Sequence, residues 1–322
     1  MRFSAARLRA ICRSCHSCKG ALWGFAVLGC GSASPLLHPA HTLDQNQIAV
    51  GGGVSTRFIS PSAQRRIDEG KSIAATHVVD NGPEEQTFVE GTLLNHSLSS
   101  GVAPWTSARV GLGHSYEAGL DYTGNRIRVD GRHAFQNENV ALSIGLGATA
   151  VLTHLNHDLI PVSTGSQPPG RLNSDAYDFS SAGFGFDVPV LFGVRTATSW
   201  FEPSFGVRVG YEQVHGQIPT VLPVPIAMPP ATMPPNTMQP QTTAAEQDVL
   251  YADATGRRLS AEGLVGLSTG SAPVFLRLEL GVGLQHAFGA VEFPSDSGVP
   301  ARRTLSLTGV SIDPAAALVF EL

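Results

Sequence analysis

The sequence predicts an all-β fold, a transmembrane antiparallel up-and-down β-barrel, and three observations carry that reading. The first is Pro273–Gly289, PVFLRLELGVGLQHAFG, where Val274, Leu276, Leu278, Leu280, Val282 and Leu284 alternate with Phe275, Arg277, Glu279, Gly281, Gly283 and Gln285. A period of two marks a strand with one greasy face and one polar or small face. The second is its length: from Val274 to Leu284, at about 3.3 Å per residue and a tilt of about 45°, the apolar face stands about 25 Å tall, the height of a lipid-facing band. The third is recurrence, since the same alternation returns along the chain between connections that are short and long by turns. A soluble β-sandwich would put polar residues on its outward faces.

Composition narrows the classes. The 322 residues include 35 Gly and 22 Pro, are 15% charged and show no helical periodicity, which fits one all-β domain with loops. A net charge of −5 leaves no basic footprint for nucleic acid.

The N-terminus reads as a targeting segment over residues 1–29. Arg2, Arg7, Arg9, Arg13 and Lys19 form a basic region ahead of the short apolar run Ala21–Gly29. The run ends in Val27-Leu28-Gly29-Cys30, which resembles the lipobox of bacterial lipoproteins. That resemblance implies cleavage before Cys30 and a lipid attached to its thiol. Ordinary cleavage after Gly31-Ser32-Ala33, leaving no lipid, is the alternative. Cys12-Arg13-Ser14-Cys15-His16 matches a c-type haem pattern, and Cys12, Cys15 and Cys18 are spaced like metal ligands, but both fall in the discarded region. The reading therefore includes no cofactor and no metal. Residues 30–43 are expected to be a flexible tether, and residues 44–322 the barrel.

In order, Gln47–Phe58 gives the first strand, with Ile48, Val50, Val54 and Phe58 outward. Residues 59–103 form an outer loop with open alternatives: Ser62–Thr76 as a short helix, and Ser72–Val79 or Gln86–Leu94 as strands. Ten strands result if this is one loop, twelve if residues 72–95 form an extra hairpin. Ser107–Gly113, Tyr116–Tyr122, Arg126–Phe135 and Val140–Thr153 follow, with Gly124-Asn125 as a two-residue hairpin signal. Then come the outer loop 154–177, Phe184–Val194, Phe201–Tyr211, the outer loop 215–257, Leu259–Ser268, the long strand above, the outer loop 290–302 and a final strand. Its alternating end, Ala316, Leu318, Phe320 and Leu322, resembles the assembly signal of outer-membrane barrels, although that signal usually ends in an aromatic residue. Short connections at one end place both termini in the periplasm and the long loops outside the cell.

With its lipobox, the segment GLGHSYEAGLDYTGNRIRVDGRHAF and a Gly/Leu-rich hairpin, the chain resembles the uncharacterised outer-membrane β-barrel proteins and lipoproteins common in myxobacteria. The likeness spans roughly residues 44–322 and rests on strand grammar. It implies a bacterial outer-membrane location, membrane lipid and the barrel assembly machinery as partners, and no catalytic residue to carry over.

Three features could carry chemistry. The first is a ring of inward charges of nearly balanced sign. The Gly124-Asn125 turn sets Asp121 opposite Arg128 and Glu117 opposite Arg132. An Asn137-Glu138 turn sets Arg128 opposite Gly147 and Asp130 opposite Gly145. Matching Val194 to Phe201 sets Asp187 opposite Arg208, and a Thr269-Gly270 turn sets Glu262 opposite Arg277. Balanced signs in a barrel of this size predict a charge-paired, largely plugged lumen rather than a selective pore. The second is His154, His157 and Asp158 at the mouth of one outer loop, with His215 at the next, candidates for rim catalysis. The third is the Pro-rich repeat from Met228 to Thr242, read as an extended surface loop. The functional expectation is a surface or structural lipoprotein of the outer membrane. A narrow pore for small solutes and a rim-active hydrolase are the alternatives.

Overall fold

The structure is a computed structural model that describes residues 34–76, 83–98, 100–152, 181–196, 200–221, 249–292 and 302–322. It is a closed antiparallel barrel of ten strands with a pair of helices. The strands are β1 (Ile48–Ile59), β2 (Gly101–Gly113), β3 (Tyr116–Thr123), β4 (Arg126–Gln136), β5 (Val140–Leu152), β6 (Ser181–Val194), β7 (Phe201–Val221), β8 (Val249–Ser271), β9 (Val274–Glu292) and β10 (Arg302–Glu321). Each pairs with its chain neighbours, and β1 closes the wall by pairing with both β2 and β10. The turns 114–115, 137–139 and 272–273 lie at one end together with Val194 and Phe201, called here the turn end; the Gly124-Asn125 turn and the helices between β1 and β2 lie at the other, the loop end.

Alternation decides which side chain meets which environment. On β9, Leu278, Leu280, Val282 and Leu284 are 40–60% exposed on the outside, whereas Arg277 is 3% exposed inside. Phe205, Val207 and Val209 on β7, and Leu142, Ile144 and Leu146 on β5, are likewise bare. The wall is uneven in height. β3 has 8 residues and β8 has 23, so β7 to β10 rise past the apolar band at the loop end.

The connection between β1 and β2 is helical, so the barrel has ten strands and the twelve-strand alternative falls. Helix α1 (Pro61–Thr76) begins with Pro61 at its first position, and the Ser60 hydroxyl accepts from the Ala63 amide at 3.4 Å. Helix α2 (Pro83–Leu98) takes the stretch that strand readings had competed for. The pair drops its apolar side chains onto the inner face of the tall wall. Ala63, Ile67, Phe88, Val89, Leu93, Leu94 and Leu98 form one core with Ala254 of β8, Ala287 and Val291 of β9 and Leu305 of β10.

Turn chemistry explains where the expected register holds and where it moves. Gly124, at φ 59°, makes the β3–β4 turn, and the ladder pairs Thr123 with Arg126, Asp121 with Arg128 and Glu117 with Arg132. Across β4 and β5 the ladder lies two residues from expectation: Arg128 faces Thr149, Asp130 faces Gly147 and Arg132 faces Gly145. The cause is a longer turn, in which the Asn137 side-chain oxygen accepts from the amides of Asn139 (2.9 Å) and Val140 (2.8 Å). Between β6 and β7, Gly193 meets Ser204, so Asp187 faces Gly210 and Pro189 faces Arg208. Between β8 and β9 the turn is Ala272-Pro273, which puts Pro273 where the ladder needs no N–H. Glu262 therefore faces Gly283, and Arg277 faces Ser268. Every shift is even, so no side chain changes face.

Candidate functional site in the lumen

The inward faces deliver a column of arginines and carboxylates, and a segment of the chain threads through it. Residues 34–43, expected to be a flexible tether, are seated inside the barrel, with Leu36, Leu37, Ala40, His41 and Thr42 buried. Their seat is a ladder of directional bonds. Near the turn end the Leu43 amide donates to Glu117 (2.9 Å), the Thr42 amide to Gln136 (2.8 Å) and the His41 amide to Glu202 (3.2 Å). The His41 ring also meets Glu202 at 2.9 Å. Arg132 donates to the carbonyls of His41 (3.1 Å) and Pro39. Higher up, Glu279 accepts from the amides of Leu36 (3.0 Å) and Leu37 (2.8 Å), and Arg277 donates to the Leu37 carbonyl at 3.3 Å. At the top of the ladder Arg208 donates to the carbonyl of Ser34.

Around this segment the charges form layers. In the lowest, Glu117 accepts from Arg109 and from Arg132 at 2.8 Å. In the middle, Arg109 reaches Asp130 at 2.7 Å, while Arg128 touches Asp121 (3.1 Å), Asp130 (3.1 Å) and Asp187 (2.8 Å). In the upper layer Arg208 meets Glu262 at 2.5 Å, Arg57 meets Asp313 at 2.9 Å, and Glu212 takes Arg126 (2.7 Å) and Arg258 (3.1 Å). Inward glycines leave room for these heads: a Cβ at Gly147 would stand 2.6 Å from both Arg128 and Asp187. A polar cavity of about 50 Å³ remains beside the upper layer, lined by Ser34, Arg126, Asp187, Arg208, Glu212 and Glu262 among others.

Of the pairs expected from sequence, the structure brings together Asp121 with Arg128 and Glu117 with Arg132. It separates the other two. Asp187 takes Arg128, not Arg208; Glu262 takes Arg208, not Arg277; and Arg277 turns to Glu321 at 2.5 Å. The register shifts on β6–β7 and β8–β9 are the cause. Sequence reasoning missed Arg258, Asp313 and Glu321, although parity carried along β8 and β10 would have turned all three inward. It also missed Leu36 and His41, where the cue was an apolar pair, Leu36-Leu37, inside a supposedly solvated tether.

This arrangement is built for mutual neutralisation. Guanidiniums hold most of the lumen carboxylates, and the amides of Leu36, Leu37, His41 and Leu43 add bonds to Glu279, Glu202 and Glu117. No cluster of His, Cys, Asp or Glu that could hold a metal ion occurs among the described residues. Cys30, His154, His157, Asp158 and the Met228–Thr242 repeat lie outside the described residues. His215 is not in a loop but on β7, on the outer surface, where its ring meets Thr255 at 3.0 Å and Gln213.

No protein-family model matches the chain, and no curated protein sequence matches it. Among solved structures, it is similar to Neisserial surface protein A at 8% identity, covering 86% of this chain and 96% of that one, with a TM-score of 0.26. It is also similar to a chain of the RagAB peptide transporter at 10% identity, covering 87% and 41%, with a TM-score of 0.29.

Proposed function

We propose that this chain is a bacterial outer-membrane β-barrel that is closed at rest, a membrane-embedded surface or structural protein rather than an open channel. One observation carries the membrane assignment. Around the middle of the barrel, the large side chains left bare are Leu, Val, Ile and Phe, while Arg109, Arg128, Arg208, Arg277, Glu117, Asp121 and Glu262 are buried inside. In water that arrangement would expose an apolar surface far beyond what a soluble monomer carries; against lipid it is the stable one. Lipid is then the partner of the outer face, and the barrel assembly machinery inserts it. The turn end, with the C-terminus beside it, faces the periplasm, and the tall β7–β10 wall with its long loops faces outward.

Closure at rest is supported by what occupies the lumen. The helical pair fills the loop end, and residues 34–43 fill the lumen from mid-height to the turn end, with the charge layers packed around them. Leu278→Arg should reduce insertion by about 2–4 kcal/mol, because Leu278 lies on the apolar band. The same change at Gln217, exposed on β7 beyond that band, should be neutral. Equal tolerance at the two sites in a membrane-insertion assay would remove the membrane assignment. Planar-bilayer recording of the purified protein tests closure: the expected trace is flat, and steady single-channel steps would favour the narrow pore. The hydrolase alternative needs His157 or Asp158 to be essential to a measured activity.

A further inference from the structure

We infer that the mature chain begins at Ser34, released by cleavage of the Ala33–Ser34 bond, and that its new amino terminus sits inside the barrel; Cys30 is then discarded with the leader instead of anchoring a lipid. The inference rests on the outer-membrane reading above, since only an exported chain meets the processing enzymes.

The placement of Ser34 is the first argument. Its carbonyl is held by Arg208, which lies on β7 between the outward residues Val207 and Val209, midway along the apolar stretch from Phe205 to Tyr211. Ser34 is therefore at mid-height in the lumen. From there the chain uses residues 34–43 to descend to Glu117 at the turn end. Cys30 lies four residues before Ser34, a reach of about 14 Å even when fully extended. A thioether-linked lipid on Cys30 would have to lie in the periplasmic leaflet, outside a closed wall. That reach barely covers the half-height of a band about 25 Å tall, and the way down is the lumen that residues 34–43 already occupy, so no length remains to carry the thioether around the rim of the wall. The opposite exit leads into the core of α1 and α2, where Arg57 reaches the Leu98 carbonyl at 3.5 Å. A lipid on Cys30 and the observed seat of residues 34–43 are mutually exclusive.

The sequence around the cut is the second argument. Gly31 and Ala33 are the small residues that a leader peptidase requires three places and one place before the cleaved bond, just beyond the apolar run Ala21–Gly29. Hydrolysis there adds water across the amide, giving Ala33 a carboxylate and Ser34 an ammonium group. The 50 Å³ cavity lined by Ser34, where Asp187, Glu212 and Glu262 face Arg57, Arg126, Arg208 and Arg258, has space for that group with a few waters. The Ser34 hydroxyl, buried and with no hydrogen-bond partner among the described residues, adds a polar group for such waters to serve.

The test is the intact mass and N-terminal peptide of the full-length gene product, recovered from the outer-membrane fraction of a Gram-negative host. The expected result is an unblocked chain starting at Ser34, with the processed fraction unchanged in Cys30→Ser and lost in Ala33→Asp. A diacylated N-terminal Cys30, a precursor that accumulates only in Cys30→Ser, or a start at any other residue would overturn the inference while leaving the membrane reading intact. Absence of the protein from the membrane fraction would instead overturn the membrane reading itself.

Discussion

At the loop end, α2 presses Phe88, Val89, Leu93 and Leu94 onto Ala254, Ala287, Val291 and Leu305. At the turn end, residues 36–43 present backbone amides and carbonyls to Glu117, Glu202, Glu279, Arg132 and Arg277. The two fillings occupy one lumen by opposite means. Apolar contact is non-directional and scales with the area covered, so the helical pair can slide or re-pack and keep much of its stabilisation. Hydrogen bonds to charged partners hold only at the right distance and angle. A one-residue slip of residues 36–43 would therefore break the whole ladder together. The loop end is packed; the turn end is keyed.

The largest effect should come from emptying the packed end. Phe88 is fully buried, and Phe88→Ala should cost about 3–5 kcal/mol of the pair's docking, through lost transfer energy and the cavity left behind. Hydrogen exchange over residues 83–98 should rise, while Leu36 and Leu37 keep their protection. Simultaneous loss of protection at both ends would show that the fillings are one cooperative unit and would end the distinction.

A smaller and more selective effect is expected at the keyed end. Glu279 accepts two successive amides, and Glu279→Gln removes the charge and turns an N–H₂ toward one of them. The cost should be about 1.5–3 kcal/mol, the scale of a hydrogen bond to a charged group. Limited proteolysis within residues 34–43 reads it directly. Faster cutting there with α2 still protected is the expected outcome; no change would mean that Glu279 does not hold the segment.

These two ends also differ in how legible they were from sequence. Face assignment is robust, because parity survives any even shift: Asp187, Arg208, Glu262 and Arg277 all point inward although none has its expected cross-strand neighbour. Partner assignment depends on the turn. Gly124-Asn125 names its own turn type, whereas the side-chain bonds of Asn137 and the Ala272-Pro273 turn left several lengths open. Helix α2 is hard to see because it is walled in on several sides. Residues 91–94 are buried one after another, so it has no single apolar stripe to mark a period of 3.6. The seat of residues 34–43 is harder still. Its bonds are made largely by main-chain groups, which every sequence possesses. Part of the wall's half of that ladder, Glu117 and Glu279, was visible as inward charge; the half supplied by the threaded segment was not.

The smallest effect sharpens the comparison at single-methyl resolution. Gly256 faces the helical pair, and a Cβ there would stand 2.6 Å from the Ser97 hydroxyl oxygen, too close for any ordinary contact. Ser97 is short, but it is buried at the end of α2 beside Leu98, so its rotation relieves only part of the clash. Gly256→Ala should therefore cost about 1 kcal/mol, at the low end of overpacking penalties. Gly52 on β1 is the matched control. It points outward, and the nearest atom to an added Cβ there is the Trp105 carbonyl oxygen at 3.9 Å, so Gly52→Ala should be neutral or slightly stabilising. If residues 83–98 rest against the inner wall as packed side chains, the first variant alone should raise their hydrogen exchange. An equal response to both would place the helical pair away from β8 and leave the keyed segment as the filling that is specifically seated.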